Sequence, residues 1–446
     1  MKLRIPPKAA FVIDILQRHG HEAYVVGGCV RDSILARDPQ DWDITTSARP
    51  EEVRSYFRRT VATGMQHGTV TVMIEDQAFE VTTFRIDGAY SDGRHPDAVV
   101  FTPSLLEDLK RRDFTINAMA YNDKEGLIDP FGGMADLQRH LIRCVGDPDD
   151  RFTEDALRIM RALRFSAQLG FAVEEATLKA ISGHAERLKM VSAERIQVEL
   201  VKLLTSDNPM HMRYLYETGI TSVVLPEFDP CMVTPQNTPY HCYNVGEHIL
   251  HTLPVVPADK VLRLTMLLHD IAKPLLRRTD DRGVDHFKGH AMVSADMAYT
   301  ILKRLKFDND TISKVVRLVR YHDVRLRAED AEVRRGIYEV GPDLFPDYLT
   351  VQRADTAAKS SYRQAEAFER IDRINLAYIG ILGRKEPLSL KDLAIRGDDL
   401  LKIGIRGKAI GTILETCLML VLKDPRANDR DLLMTYAESV KGQTLS

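Results

Sequence analysis

The sequence predicts an α+β chain, with a small mixed α/β head followed by helical neck, histidine-rich and tail segments. Two observations predict it. Short runs that alternate apolar and polar residues, 69–74 and 79–84, fall within the first 150 residues, with Glu75-Asp76-Gln77 as the turn between them. From Glu154 onward apolar residues recur at helical spacing almost throughout. At roughly 100–200 residues per domain the length allows two to four domains. The expected boundaries are 1–150 for the head, 151–235 for the neck, 236–356 for the histidine-rich segment and 357–446 for the tail.

The elements follow in order. Residues 8–19 read as an amphipathic helix with Phe11, Ile15 and Leu16 on one side. Residues 23–26 form a short apolar strand that runs into Gly27-Gly28, and 30–36 a helix. Residues 41–45 read as a second strand with acids at alternate positions. Helices are expected over 154–169, 174–185, 193–204 and 210–218. The proline-rich stretch 225–240 reads as a linker.

Composition narrows the setting. Lysine plus arginine total 61 against 64 acids, so no global basic field points to nucleic acid, and any such contact must come from local patches. Five scattered cysteines without a CxxC pair argue against a disulfide framework or a thiolate zinc site. The N-terminus lacks the apolar core of a leader peptide, and no apolar run is long enough to span a bilayer. A soluble cytoplasmic protein, with no membrane partner, is expected.

The chemistry concentrates in a few motifs. Gly27-Gly28-Cys29-Val30-Arg31-Asp32, between a strand and a helix, allows backbone N–H groups to approach a phosphate, with Arg31 adding a charged contact. Alone, such a turn is more often only a tight turn. Asp41 and Asp43, two apart on an extended segment, point to one face. Adjacent carboxylates of this kind suit Mg²⁺, and two such ions can activate a hydroxyl and stabilise a leaving pyrophosphate. The bland alternative is a solvated acidic strand edge.

The order Gly-Gly, then Asp-x-Asp, resembles the nucleotidyltransferase superfamily that includes DNA polymerase β. Three further motifs narrow the resemblance to bacterial class II CCA-adding enzymes (tRNA nucleotidyltransferases) and the related poly(A) polymerases. They are Arg111-Arg112-Asp113-Phe114-Thr115-Ile116-Asn117, Asp129-Pro130-Phe131-Gly132-Gly133 and Glu154-Asp155-Ala156-Leu157-Arg158 through Phe165. The resemblance spans about residues 20–205. It implies a third acid on a neighbouring strand, for which Glu80 is the candidate, with an outward-facing strand glutamate as the alternative. Arg112 is expected at the triphosphate, and Asp113 and Asn117 at the ribose.

Asp155 and Arg158 lie three apart on a helix, so their side chains are neighbours on one face. A carboxylate accepts and a guanidinium donates, so such a pair can satisfy the edge of cytosine or adenine and leaves groups unpaired against uracil or guanine. The resemblance implies this same role, and it places Arg161 and Arg164 along the nucleotide pocket. The alternative is a surface helix laced with ion pairs. The segment 85–96 resembles the flexible loop with which full CCA-adding enzymes switch from C to A. Arg195 offers a contact to RNA or, more simply, an ion pair with Glu199 one turn on. In the tail, Lys402, Arg406, Lys408 and Arg426 offer contacts to an RNA backbone.

The histidine-rich segment carries His248, His269-Asp270, His290, His322 and Asp355. Imidazole and carboxylate ligate divalent transition metals, and separate helices can bring them to one core site. The pattern resembles the HD-type phosphohydrolase domain. The matching metal ligands are His248, His269, Asp270 and Asp355, with His290 and His322 where a second metal is held. A degenerate, purely structural domain is the alternative.

The expected function is therefore template-independent addition of the 3′-terminal CCA of tRNA from CTP and ATP. Two Mg²⁺ ions at Asp41 and Asp43 are the expected cofactors, and the second segment has room for a transition metal and a cyclic phosphodiesterase or phosphatase activity. No DNA partner is expected. The rivals are an A-adding or CC-adding specialist, a poly(A) polymerase, or an HD phosphohydrolase with an RNA-binding N-terminal half.

Overall fold

A computed structural model describes residues 2–88 and 99–440. The chain divides into two compact units, 1–226 and 227–446.

The first unit is built on a seven-stranded sheet. The strands that matter are β1 (Ala23–Val26), β2 (Ile44–Thr46), β3 (Thr60–Gly64), β4 (Thr69–Ile74) and β5 (Gln77–Thr83). They run in the order β3-β4-β5-β2-β1, and the strands Ala120–Asn122 and Gly126–Ile128 complete the sheet beyond β1. All four residues of β1 are buried. Tyr24 and Val26 pack with Phe84, Leu105, Leu109 and Ala120 into one apolar cluster that fixes the centre of the sheet. β2 is antiparallel to β1 but parallel to β5, with Ile44 opposite Val81 and Thr46 opposite Thr83.

The alternating runs form the β4–β5 hairpin, with Glu75 in the left-handed region at φ 55°. Two expectations change. The strand expected over 41–45 begins only at Ile44, so Asp41-Trp42-Asp43 precedes it. These residues still alternate, because Trp42 is buried while Asp41 and Asp43 are exposed. The helix expected over 154–169 is broken: one helix ends at Glu154, Asp155 is extended (φ −136°, ψ 104°), and the next helix runs Leu157–Leu169. The Asp155 side chain causes the break, since its Oδ1 accepts the Leu157 N–H at 3.0 Å and competes with helix continuation.

The second unit is mainly helical. The expected 225–240 linker instead holds a short helix, Asp229–Val233. The helices Val245–Thr252, Lys260–Leu268, His290–Arg304, Asn309–Tyr321 and Phe345–Ala357 carry or abut the histidines. Side-chain caps fix several starts: Asn244 Oδ1 accepts the Glu247 N–H at 2.7 Å, and Asp259 Oδ1 those of Val261 and Leu262. Phe345, Tyr348, Ile374, Leu418 and Val421 belong to an apolar core that ties these helices to the tail helices Gln364–Gly383 and Lys408–Lys423. Among the described residues no helix is long and apolar enough to cross a membrane.

Candidate active site

The acids are placed by sheet register. Ile44 pairs with Val81 in the parallel β2–β5 ladder, so one step back sets Asp43 beside Glu80. Ile44 and Val81 are both buried, and Asp43 and Glu80 are both exposed on the opposite face. Asp41 shares that face by period two. The carboxyl of Asp43 is raised above its ordinary range, first by loss of hydration and then by Glu80 and Asp41, while Arg112 opposes the shift. The three acids and one arginine thus share one electrostatic neighbourhood.

Thr45, next along the same face, is buried and joins the acids to the Arg-Arg-Asp motif. Its Oγ1 donates to Asp108 Oδ2 at 3.1 Å. Asp108 is fully buried and holds Arg111 at 2.7 Å, with Arg112 at 3.6 Å. Arg112 also lies against the glycine turn. A Cβ on Gly27 would lie 3.0 Å from Arg112 Nη1, and Gly27 has φ +79°, so glycine is required there twice over. Burial pushes the Arg112 pKa down, and its Nε is buried with no hydrogen-bond partner.

Behind this face lies a buried arginine network. Arg31 binds both oxygens of Asp32, at 2.8 and 2.9 Å, and donates through Nη1 to Asn117 Oδ1 at 2.7 Å. Asn117, in a single 3₁₀ turn, donates to Asp113 Oδ1 at 3.2 Å. Asp113 Oδ2 accepts from Arg161 Nε and Nη2 at 2.8 and 2.6 Å. Burial alone would raise the Asp113 carboxyl, but Arg161, then Arg158 and Asn117, hold it well below the usual carboxylate range. Phe165 is the hub, with the guanidinium carbons of Arg164, Arg31 and Arg161 at 3.8, 5.0 and 5.5 Å from its ring centroid. Arg164 pairs with buried Glu199 at 2.6 Å, and its pKa falls to about 10 because it is buried.

The Asp155 and Arg158 side chains each hold other partners. Because the helix breaks between them, Arg158 bonds Glu154 and donates to the carbonyls of Arg111 and Arg151 at 2.9 and 3.2 Å. Asp155 Oδ2 accepts from Arg195 Nη2 at 3.0 Å. The expected Arg195–Glu199 pair is likewise replaced: each residue reaches across to the Glu154–Phe165 segment.

The Asp129-Pro-Phe-Gly-Gly motif serves this site as a buttress. Asp129 accepts the N–H groups of Gly133 and Met134 at 2.7 and 2.9 Å, and a Cβ on Gly133 would strike the Thr115 carbonyl and Met119. Thr115 in turn donates to buried Asp136 at 2.6 Å, fixing the turn that carries Asn117. Sequence reasoning assigned no role to Asp108, Asp136 or Phe165, and it gave Glu199 to Arg195 rather than to Arg164. Asp108 carried one readable signal, its i,i+3 and i,i+4 spacing to Arg111 and Arg112. Of the 85–96 loop, residues 89–96 lie outside the described residues.

In the second unit the expected ligands converge. His248 Nε2 lies 3.0 Å from Asp355 Oδ1, 3.3 Å from His269 Nε2 and 3.5 Å from Asp270 Oδ2. On the other side of Asp270, Oδ1 lies 3.2 Å from His290 Nε2 and 3.5 Å from His322 Nε2. All six residues are buried. Asp270 belongs to two clusters with metal-ligand spacing, one with His248 and His269 and one with His290 and His322. The Nδ1 atoms of His269, His290 and His322 meet backbone carbonyls at 2.7, 2.9 and 2.6 Å, leaving Nε2 facing the cluster. Asp270 is held well below the usual carboxylate range: burial opposes this, but His269 and Lys273 prevail.

Comparison with known proteins matches residues 23–143 to the "Poly A polymerase head domain". Residues 170–232 match the "Probable RNA and SrmB- binding site of polymerase A", and 290–437 match domain 2 of tRNA nucleotidyltransferases. The CCA-adding enzyme of Levilactobacillus brevis is 35% identical over 95% of each chain, and that of Enterococcus faecalis 35% identical over 99% of each. The Bacillus stearothermophilus CCA-adding enzyme, solved in complex with CTP, superposes with a TM-score of 0.73 at 28% identity, covering 98% of this chain and all of that one. The Thermotoga maritima CCA-adding enzyme, solved with tRNA, shares the fold at a TM-score of 0.61 and 21% identity, over 99% of this chain and all of that one. The head, its acids in register and the end-to-end identity to these relatives make this chain a member of the CCA-adding enzymes, the tRNA nucleotidyltransferases.

Proposed function

We propose that the chain builds and repairs the 3′-terminal CCA of tRNA, one nucleotide at a time, from CTP and ATP, releasing pyrophosphate. The register that sets Asp43 beside Glu80, with Asp41 on the same face, carries this reading. The Asp43 carboxyl, raised first by loss of hydration and also by Glu80 and Asp41, would regain favourable contacts from a hard cation bound between the acids. Two Mg²⁺ ions held by Asp41, Asp43 and Glu80 would acidify the RNA 3′-hydroxyl and stabilise the leaving pyrophosphate. The Gly27 N–H is held by the Met119 carbonyl, so the backbone N–H of Gly28, at the start of the following helix, and the Arg112 guanidinium receive the triphosphate. Arg31, held by Asp32 and Asn117, flanks them as a preorganised cation. Asp113 and Asn117 shape the ribose pocket from behind, by fixing Arg161 and Arg31.

Base choice falls to Asp155 and Arg158, with Arg161 and Arg164 along the pocket. Each Asp155 oxygen accepts one hydrogen bond in the structure and retains capacity for the exocyclic amino group of cytosine or adenine. Uracil and guanine offer a carbonyl at that point, and the carboxylate rejects it. The working division is a head over 1–150, a base-selecting neck over 151–235, a phosphohydrolase-like segment over 236–356 and an RNA-binding tail over 357–446.

The test uses tRNA lacking one, two or three terminal nucleotides, with CTP and ATP supplied separately and together, and reads product lengths. Restoration of CCA and then arrest is expected. Extension of CC ends only, of CC only, or a long A tract would replace this reading with an A-adding, CC-adding or poly(A) activity.

A second reading, for the second unit, is metal-dependent phosphoester hydrolysis. It is favoured by Asp270, which is shared between two buried ligand clusters. His248, His269 and Asp355 would complete one metal site, and His290 and His322 the other; a transition metal there would activate water. Metal analysis of the purified chain and of Asp270→Asn tests it, and a wild type that binds no metal ends it.

A further inference from the structure

One buried charge of the head has no part in the chemistry described so far. Asp108, on the short helix Leu105–Lys110, has no exposed surface. A buried carboxylate is costly unless its partners balance it. Its Oδ1 accepts from Arg111 Nε and Nη2 at 3.0 and 2.7 Å and from the Arg85 backbone N–H at 3.4 Å. Its Oδ2 accepts from Thr45 Oγ1 at 3.1 Å and lies 3.6 Å from Arg112 Nη2. Thr45 is two residues beyond Asp43 and lies on β2. Arg85 opens the short strand Arg85–Asp87, two residues beyond the end of β5, which carries Glu80. One carboxylate thus holds β2, the chain that continues β5, and the Arg-Arg-Asp motif together.

Its two arginines are held differently. Arg111 takes the two charge-assisted bonds. Arg112, at 3.6 Å, is beyond hydrogen-bond distance and is held by charge. Its Nε is buried with no hydrogen-bond partner. Burial works against the charge of Arg112, and Asp108 is the first of the carboxylates that oppose this, ahead of Asp43 and Asp113. Asp43 and Asp113 also attract the same guanidinium, so without Asp108 their pull is unopposed. A close pair would consume the donors of Arg112. A counter-charge at a short remove keeps the group cationic and leaves its donors for phosphate oxygens.

We propose that Asp108 is a positioning residue for nucleotidyl transfer, which sets Arg112 against the strands of Asp43 and Glu80 and keeps its donors free for the triphosphate. This rests on the triphosphate role of Arg112 given above. Asp108 acts through Arg112 and not on the substrate itself.

The experiment follows A addition to tRNA ending in CC by the full chain, with Mg²⁺ in excess, and measures inhibition by inorganic triphosphate and by adenosine. Triphosphate reads the phosphate contacts, and adenosine reads the base pocket and any general loosening of the head. Asp108→Asn is expected to weaken triphosphate inhibition and to raise KM for ATP, each by about tenfold, with adenosine inhibition within about twofold of wild type. Cutting one side of a buried pair can unfold a chain. The double variant Asp108→Asn with Arg111→Gln strands no guanidinium at 111, and it is expected to shift triphosphate inhibition in the same direction. Arg112→Gln gauges the reading beneath and is expected to weaken triphosphate at least as much. If Arg112→Gln weakens triphosphate while the Asp108 variants bind it as wild type does, the positioning role is overturned and Arg112 keeps its own. Equal weakening of triphosphate and adenosine by the Asp108 variants also overturns it, since a merely structural residue would do that. If Arg112→Gln leaves triphosphate inhibition unchanged, the triphosphate role of Arg112 falls, and the positioning role with it.

Discussion

The two candidate sites present opposite solutions to holding charge. At the head, Asp41, Asp43 and Glu80 stand exposed on a sheet face, and the buried charges are the arginines behind them, each matched to an acid or amide. In the second unit the acids and histidines are themselves buried, and no more than a lysine or two balances them. The difference teaches where rigidity is needed. On the proposed function, the open acidic face would admit a triphosphate and a growing RNA end, with precision from the scaffold that fixes the arginines. The closed histidine cluster would fix its own metal and leave choice of substrate to the cavity around it.

If that contrast is right, the largest effect comes from the hidden scaffold of the head. Asp113→Ala strands Arg161 and Asn117, and breaking a buried pair of this kind costs about 3–5 kcal/mol. Urea unfolding is expected to show this loss, and nucleotide addition to fall with it. A change below about 1 kcal/mol would mean that Asp113 is not the anchor of the network.

The same residue sets a pH dependence. Its folded carboxyl titrates below its unfolded value, so its stabilisation is complete above the ordinary carboxylate range near pH 4. That stabilisation is lost as pH falls from there through the depressed folded value. Acid unfolding of Asp113→Asn should therefore be less steep over this window than that of wild type. Equal slopes would remove Asp113 from the acid transition.

The contrast sharpens at the second site. Asp270→Asn should abolish metal retention, read by elemental analysis, and leave nucleotide addition within about twofold of wild type. A smaller effect is expected at the helix break beside Asp155. Arg195→Ala frees Asp155 from its 3.0 Å partner and is expected to raise KM for CTP and ATP by about tenfold with a smaller change in kcat. An unchanged KM would make the pair purely structural. The smallest effect is at the exposed acids. Asp43→Asn removes a carboxylate that the fold desolvates and that Glu80 and Asp41 repel, against the lost attraction to Arg112, and should stabilise the metal-free protein by about 1 kcal/mol in EDTA.

Much of the head was legible in the sequence because its signals are local. Alternation at 69–74 gives β4 from Thr69 to Ile74, and the order of Gly27-Gly28, Asp41 and Asp43 reflects strand neighbours. What was not legible depends on side chains competing with the backbone or reaching across the fold. Asp155 looks like a helical residue by spacing, yet its carboxylate takes the Leu157 N–H and ends the helix register. Arg195 and Glu199 read as an i,i+4 pair, yet each has a stronger partner 40 and 35 residues away, in Asp155 and Arg164. The spacing of Asp108 to Arg111 and Arg112 is readable, but only its burial beneath Thr45 and both arginines discloses its place. For the histidines the converse holds: the types were plain in the sequence, and the fold supplies the bridge at Asp270.

The most direct measurement compares wild type with Asp43→Ala and Asp41→Ala on tRNA ending in CC, with ATP and Mg²⁺, by single-turnover incorporation. Loss of either carboxylate is predicted to slow addition by about 10³-fold or more, with the folded state retained by circular dichroism. Incorporation at the wild-type rate by a folded Asp43→Ala chain would contradict the assignment of the exposed acidic face as the centre of nucleotidyl transfer.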